Sequence, residues 1–279
     1  MPPIMRLCAL TVLCFLTSSL TASAQEKPIY DQIVDIVGSE TGTIRRWAYP
    51  PKLTVIHSGD PHRDLIEELV DRVNLHVPNF PGVGAVDFFD LSQFQRRLAG
   101  NTQFRMPTKD FNGVEGSIVR ALFRGETTER DLSVTGSIFI FLTGLENGIT
   151  FGALTQSDKR LSRQFAEGGE TRCYFNLMSL RDELRAGFIF INTEDAKTPV
   201  AECIYEEFMQ TLGLLNDSHG SSVFTFDNTG IVREDRDPDF RLLEALYSDQ
   251  VAPGDDAQRV AELYLNIAPA DVVEVADKP

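Results

Sequence analysis

"AGFIFINTEDAKTPVAECIYEEFMQTLGLLND", residues 186–217, changes its period halfway along and decides how the chain folds. In the first part Phe188 and Phe190 fall on one side of a strand, Ile189 and Ile191 on the other. A strand apolar on both sides belongs in a sheet covered on both faces. In the second part Val200, Ile204, Phe208 and Leu212 recur every four residues, the stripe of a helix that packs on a core. Thr198 suits the N-cap, Pro199 the first helical position and Gly213 a left-handed stop. The stretch predicts a strand leading directly into a helix from Pro199 to about Leu212.

Working outward, "KPIYDQIVDIVG" predicts a short leading helix that ends at Gly38. A buried strand is expected at Leu53 to Ile56, after Pro50-Pro51. An amphipathic helix follows with Leu65, Leu69, Val70 and Val73 inward, then a strand in "GVGAVDFFD". "SIFIFLTG" at 137–144 and "CYFNLMS" read as further strands, and "DPDFRLLEALYS" and "PGDDAQRVAELYLNIA" as helices. The polar run 92–135 reads as an insertion and 269–279 as a flexible tail. The order is strand, helix, strands, helix and a mostly helical end, an α+β domain on one mixed twisted sheet over 25–268.

The N-terminus is expected to be a signal peptide, residues 1–24. Arg6 precedes the apolar run "LCALTVLCFLTSSL", and Ala22-Ser23-Ala24 offers cleavage after Ala24. A spanning helix needs about 20 apolar residues, more than this run supplies. The mature chain is then periplasmic or secreted, with no integral membrane segment. Among 279 residues, 41 acidic side chains oppose 26 basic ones, a formal charge of −15. That surface repels nucleic acid and anionic lipid, and no basic cluster offsets it.

Cys8 and Cys14 leave with the signal peptide, so Cys173 and Cys203 remain. An even pair in an exported chain is expected to form a disulfide. Two buried free thiols are the alternative, since neither has a Cys or His at zinc-ligand spacing.

The helix carries a second pattern. Glu206 and Gln210 are one turn apart, and Glu207 sits beside them. Two ligands at that spacing grip a metal in zinc peptidases, and a glutamate beside the first activates the bound water. Structurally, the same residues form a solvated face, or pin the turn after Gly213 through local bonds from Gln210, Asn216 and Asp217. His219 reads as an exposed loop residue, and no nucleophile elbow appears for His57, His62 or His76.

On these residues the stretch resembles the metzincin helix, His-Glu-x-x-His-x-x-Gly-x-x-His (or Asp). Glu206 stands for the first His, Glu207 for the Glu, Gln210 for the second His, Gly213 for the Gly and Asn216 for the third ligand. "SSVFTF" is similar to the Met-turn segment, with Phe224 where Met is expected, and "REDRDPDFRLLEALYS" to the closing helix. A closer resemblance, from Trp47 to Gly254, is to a family of secreted bacterial proteins catalogued as a domain of unknown function. It rests on the pattern Cys203, Glu206, Glu207, Gln210, Leu212, Gly213, Leu214, Asn216 and Asp217.

The metzincin resemblance implies a zincin-type domain with degenerate ligands. Zinc favours imidazole and thiolate, and one carboxylate with two amides holds it poorly. Calcium accepts such oxygens but wants six to eight. Glu206, Gln210, Asn216, Asp217 and His219 are thus weak candidates, and no cofactor is expected. The expected role is a catalytically degenerate module that binds a peptide, a glycan or an envelope protein. The alternatives are a metal-dependent hydrolase using Glu207 as general base, and a structural envelope protein.

Overall fold

Among the residues that the computed structural model describes, apolar runs and helical spacing resolve into five helices and six strands. It describes residues 27–91, 136–144, 173–194, 199–218, 223–225 and 235–267. The expected signal peptide, the expected insertion at 92–135 and the expected tail at 269–279 lie outside the described residues, as do Thr198 and His219. No helix among the described residues is long and apolar enough to cross a membrane.

Helix α1 (Ile29–Val37) ends at Gly38 as expected, although Gly38 is extended rather than left-handed. Strand β1 (Arg46–Trp47) precedes β2 (Lys52–His57), which is buried from Leu53 onward. Helix α2 (Arg63–His76) buries Ile66, Leu69, Val70 and Val73, and Leu65 is only partly buried at the edge of this stripe. Strands β3 (Val86–Asp90), β4 (Ser137–Thr143), β5 (Cys173–Leu180) and β6 (Glu183–Asn192) follow. Helix α3 (Val200–Thr211) comes directly after β6. Pro199 occupies its N-cap, one place ahead of the expected first helical position. Helices α4 (Asp237–Leu246) and α5 (Ala257–Ile267) complete the described fold.

The sheet is mixed but mostly parallel. It runs β3, β2, β4, β6 in parallel, with β1 parallel to the first two residues of β6. β5 alone is antiparallel, paired to β6 through a tight turn at Arg181-Asp182. The two faces differ in kind. Leu53, Val55, Ile138, Ile140, Ile189 and Ile191 join the helices in one apolar core. On the other face the rings of Phe139 and Phe188 stack at 5.7 Å, and those of Phe141 and Phe190 at 4.9 Å. Both faces of β6 are buried, as the sequence predicts for a strand apolar on both sides.

The end of α3 is where the chain's distant parts meet. Gly187 in β6 leaves room for it, since a Cβ there would lie 3.3 Å from the Thr211 side chain. The last helical carbonyls, left without intrahelical donors, find buried side chains from elsewhere. Trp47 Nε1 donates to the Thr211 carbonyl at 2.9 Å, and the Tyr247 hydroxyl donates to that of Leu212 at 2.8 Å. The Trp47 N–H in turn donates to the Tyr247 oxygen at 3.1 Å. Gly213 then turns the chain away at φ +115°, pressed against Arg45 and Leu246. Cys173 and Cys203 form a disulfide, tying the start of β5 to the first turn of α3.

Two predictions come from this packing. A Cβ on Gly213 would lie 2.6 Å from the Arg45 carbonyl oxygen and 2.8 Å from Leu246 Cδ2, at a positive φ. Gly213→Ala is therefore expected to lower unfolding free energy by about 2 kcal/mol or more in urea titration. Gly187→Ala, whose neighbour is a side chain, is expected to cost less. Replacing Cys173 and Cys203 together by Ala opens a closed loop with a separation of 30 residues. The expected loss in the same titration is about 3–4 kcal/mol in the chain-entropy model.

Candidate functional site

Helix α3 is buried almost all round. Ile204, Phe208 and Leu212 lie in the core as their spacing predicts, but so do Cys203, Tyr205 and Met209. The expectation of a solvated acidic face needs correction. Glu206 is half-buried, while Glu207 and Gln210 are each only 5 % exposed. Behind Gly213 the chain doubles back and brings Asp217 onto the helix, where Gln210 Nε2 donates to Asp217 Oδ1 at 3.0 Å. Glu206, Glu207, Gln210 and Asp217 are thus gathered at one place. Burial, and then the charges of Glu206 and Asp217, hold the Glu207 carboxyl well above the usual carboxylate range. Its Oε2 is shut off from solvent with no hydrogen-bond partner among the described residues.

Asn216, in the slot of a third ligand, has other work. Its backbone N–H donates to the Ile36 carbonyl at 3.0 Å. Its side-chain amide donates to the carbonyls of Asp35 at 2.9 Å and Gly38 at 2.6 Å. These bonds satisfy the open end of α1, reaching 181 residues back in sequence rather than pinning the local turn. Gln210 and Asn216 offer zinc only weak amide oxygens, and their N–H groups orient the side chains toward Asp217 and α1, so the donor set does not fit zinc. No group of three His, Cys, Asp or Glu side chains placed to hold a metal ion occurs among the described residues.

Sequence reasoning missed a second polar group on the far side of α3. Asp239, in the first turn of α4, is wholly buried. It accepts from the Tyr205 hydroxyl at 2.8 Å, the Thr225 N–H at 3.1 Å and the Thr225 hydroxyl at 2.5 Å. Arg236 lies 3.8 Å over the Tyr205 ring and bonds both carboxylate oxygens of Glu202, at 3.1 and 3.0 Å. Between them Phe224 is buried edge-on to Tyr264, with ring centroids 5.6 Å apart. The segment 223–225 is thereby held to α4 through Thr225 and to α5 through Phe224. Burial outweighs the bonds from Thr225 and Tyr205 and the charge of Arg236, and pushes the Asp239 carboxyl up to about 6. Burial, then Asp239, raises the Tyr205 phenol above its ordinary value. The available sign was an acid beside Pro238 at a helix start, which reads equally well as simple capping.

Asp239 sets a pH dependence. Its folded value of about 6 exceeds the ordinary 3.8, so its contribution is full below about pH 4 and lost as pH rises through 6. The stability of wild type relative to Asp239→Asn is expected to fall between those limits, by up to about 3 kcal/mol. Thermal melts of both proteins across that range check it, with carboxyl NMR placing the midpoint.

No curated protein and no solved structure matches the chain. A family model described as "Protein of unknown function (DUF2927)" matches residues 124–265. The match starts well after Trp47, leaving out α1, α2 and the first three strands, and runs past Gly254 into α5. It takes in β4 to β6, all of α3 with its Glu206-Glu207 pair, and α4. Covering just over half of the sequence, it shows that the chain belongs to this family.

Proposed function

We propose that this is an exported, metzincin-like module that binds a peptide, a glycan or an envelope protein at the polar face of α3 and has no catalytic activity of its own. The observation that carries the reading is the redirection of two ligand slots. Asn216 is committed to the carbonyls of α1, and Gln210 to Asp217. What remains beside Glu206 is a cluster of buried and half-buried polar side chains rather than a metal grip. The metzincin-like architecture is supported by the strand, helix, strands, helix order, by Gly213 at its left-handed turn, and by buried Phe224. Export is supported by the Ala22-Ser23-Ala24 site and by the disulfide, which persists in oxidising compartments. The acidic surface argues against nucleic acid as the partner.

A second reading, an atypical metal-dependent hydrolase of peptidase type, is favoured by Glu207. A general base at neutral pH works best when its proton affinity is raised, and burial raises that of Glu207. The metal for that reading, zinc or calcium, would draw on Glu206 and Asp217.

Elemental analysis of protein purified without chelators separates the two. Well under one equivalent of zinc or calcium is expected, with no cleavage of unstructured protein substrates. Tightly held metal, with hydrolysis abolished by Glu207→Gln at unchanged melting temperature, would establish the hydrolase instead. Peptide and glycan arrays probe the binding reading directly. Covering this face with Glu206→Trp, at unchanged circular dichroism, is expected to abolish binding.

A further inference from the structure

The sheet has two apolar faces, and the described helices use only one. Every buried apolar side chain of the five described helices joins the core built on Leu53, Val55, Ile138, Ile140, Ile189 and Ile191. Across the sheet, Phe139 and Phe188 are 1 % exposed and Phe141 and Phe190 0 %, yet they stand outside that core. Their rings form a layer of their own. Phe139 lies 6.4 Å from Phe141, and Tyr174 stacks on Phe190 at 4.7 Å. Rings so fully removed from water are covered, as a parallel sheet requires on both faces, and none of the described helices contributes to the layer.

Strand order says which part of the chain covers them. Strand β2, helix α2 and strand β3 form one parallel crossover, with α2 on the helical face. Such crossovers are right-handed in about 98 % of cases. From β3 the chain returns past β2 to β4, which pairs in parallel with the other side of β2. That step runs in the opposite direction across the sheet, so a right-handed return passes over the opposite face, the one that carries the phenylalanines. The return must also traverse the whole sheet, from the carboxyl end of β3 at Asp90 to the amino end of β4 at Ser137. Residues 92–135 exceed the dozen or so that a parallel crossover needs. The connection 145–172 has no such obligation. It follows β4, which ends at Thr143, and precedes Cys173, which pairs with Ile191 at the same end of the sheet. Within 92–135, Val114, Ile118 and Leu122 recur every four residues, with Arg120 and Arg124 on the other side. This is the pattern of a helix that lays one stripe on an apolar surface.

We propose that the phenylalanine face is the docking surface of the chain's own residues 92–135, which cross it between β3 and β4 with Val114, Ile118 and Leu122 against the rings of Phe139, Phe141, Phe188 and Phe190. The segment is then a second covering layer of the sheet rather than an insertion. It belongs to the face opposite α3, away from the polar cluster at Glu206, and the proposal does not depend on what that cluster binds.

The test is made on the full mature protein, with labelled Ile, Leu and Val methyl groups and protonated Phe rings in a deuterated chain. Nuclear Overhauser effects are expected between the methyls of Val114, Ile118 and Leu122 and the rings of Phe139, Phe141, Phe188 and Phe190. Effects on those rings from 145–172 or another part of the chain, with none from 92–135, would overturn the proposal. So would effects seen only between differently labelled copies, which would make the face a contact between two molecules. Paired variants give an independent reading. Ile118→Asp with Leu122→Asp is expected to uncover the rings and raise the fluorescence of an added anilinonaphthalene sulfonate several-fold. Arg120→Asp with Arg124→Asp, on the other side of the same stretch, is expected to leave it unchanged. Equal responses of the two pairs would overturn the proposed orientation. Should the first pair fail to fold by circular dichroism, the measurement on the wild-type chain decides alone.

Discussion

Helix α3 ends inside the protein, and its last carbonyls must find donors there. An unmade bond at a buried carbonyl costs about as much as the net gain of one or two good ones, so this ending constrains everything near it. The donors are an indole from β1 and a phenol from the residue after α4, bonded to each other as well. The Arg46 guanidinium strengthens the join by donating to the carbonyls of Leu246 and Ser248, both at 3.0 Å. A strand of only two residues thereby holds helix α3, the closing helix and the sheet in register. The positions of Glu206, Glu207 and Asp217 follow from it, because Gly213 sends the chain back over α3 only when the helix stops there.

Two buried carboxyls lie on opposite sides of the same helix and differ in their surroundings. Asp239 is met by three donors, which limit its shift but do not cancel it. Glu207 is met by two acids, and every described influence on it points upward. Donor-rich burial is how a fold keeps a structural carboxylate. Burial among acids opposes folding and makes sense as part of a site that something else completes.

Local signals made much of this legible in the sequence. The four-residue apolar repeat located α3, continuous apolar, β-forming runs located β4 and β6, and Gly213 marked the turn at a positive φ. The paired cysteines were readable from their count together with the expectation of a signal peptide. What could not be read depends on residues far apart in the chain. Nothing near Asn216 reveals that its amide reaches Asp35, and nothing near Trp47 reveals a helix end at Thr211. The burial of Glu207 was hidden for the same reason: a Glu-Glu pair on a helix reads as solvated unless a later loop is known to fold over it. Asp239 was masked by its position, since acids in a first helical turn are common for purely local reasons.

The disulfide sets an order of events. Strands β5 and β6 are consecutive, joined by a tight turn, and the first turn of α3 follows them closely, so this unit is local in sequence. Its closure needs little chain to be gathered, whereas β1 must come from residue 46 to lie beside residue 183. Oxidation of Cys173 and Cys203 is expected to fasten a hairpin to a helix before the parallel strands have found their places. On that expectation the N-terminal half docks onto a preformed platform, and the long search for parallel register is made against a rigid edge rather than a fluctuating chain.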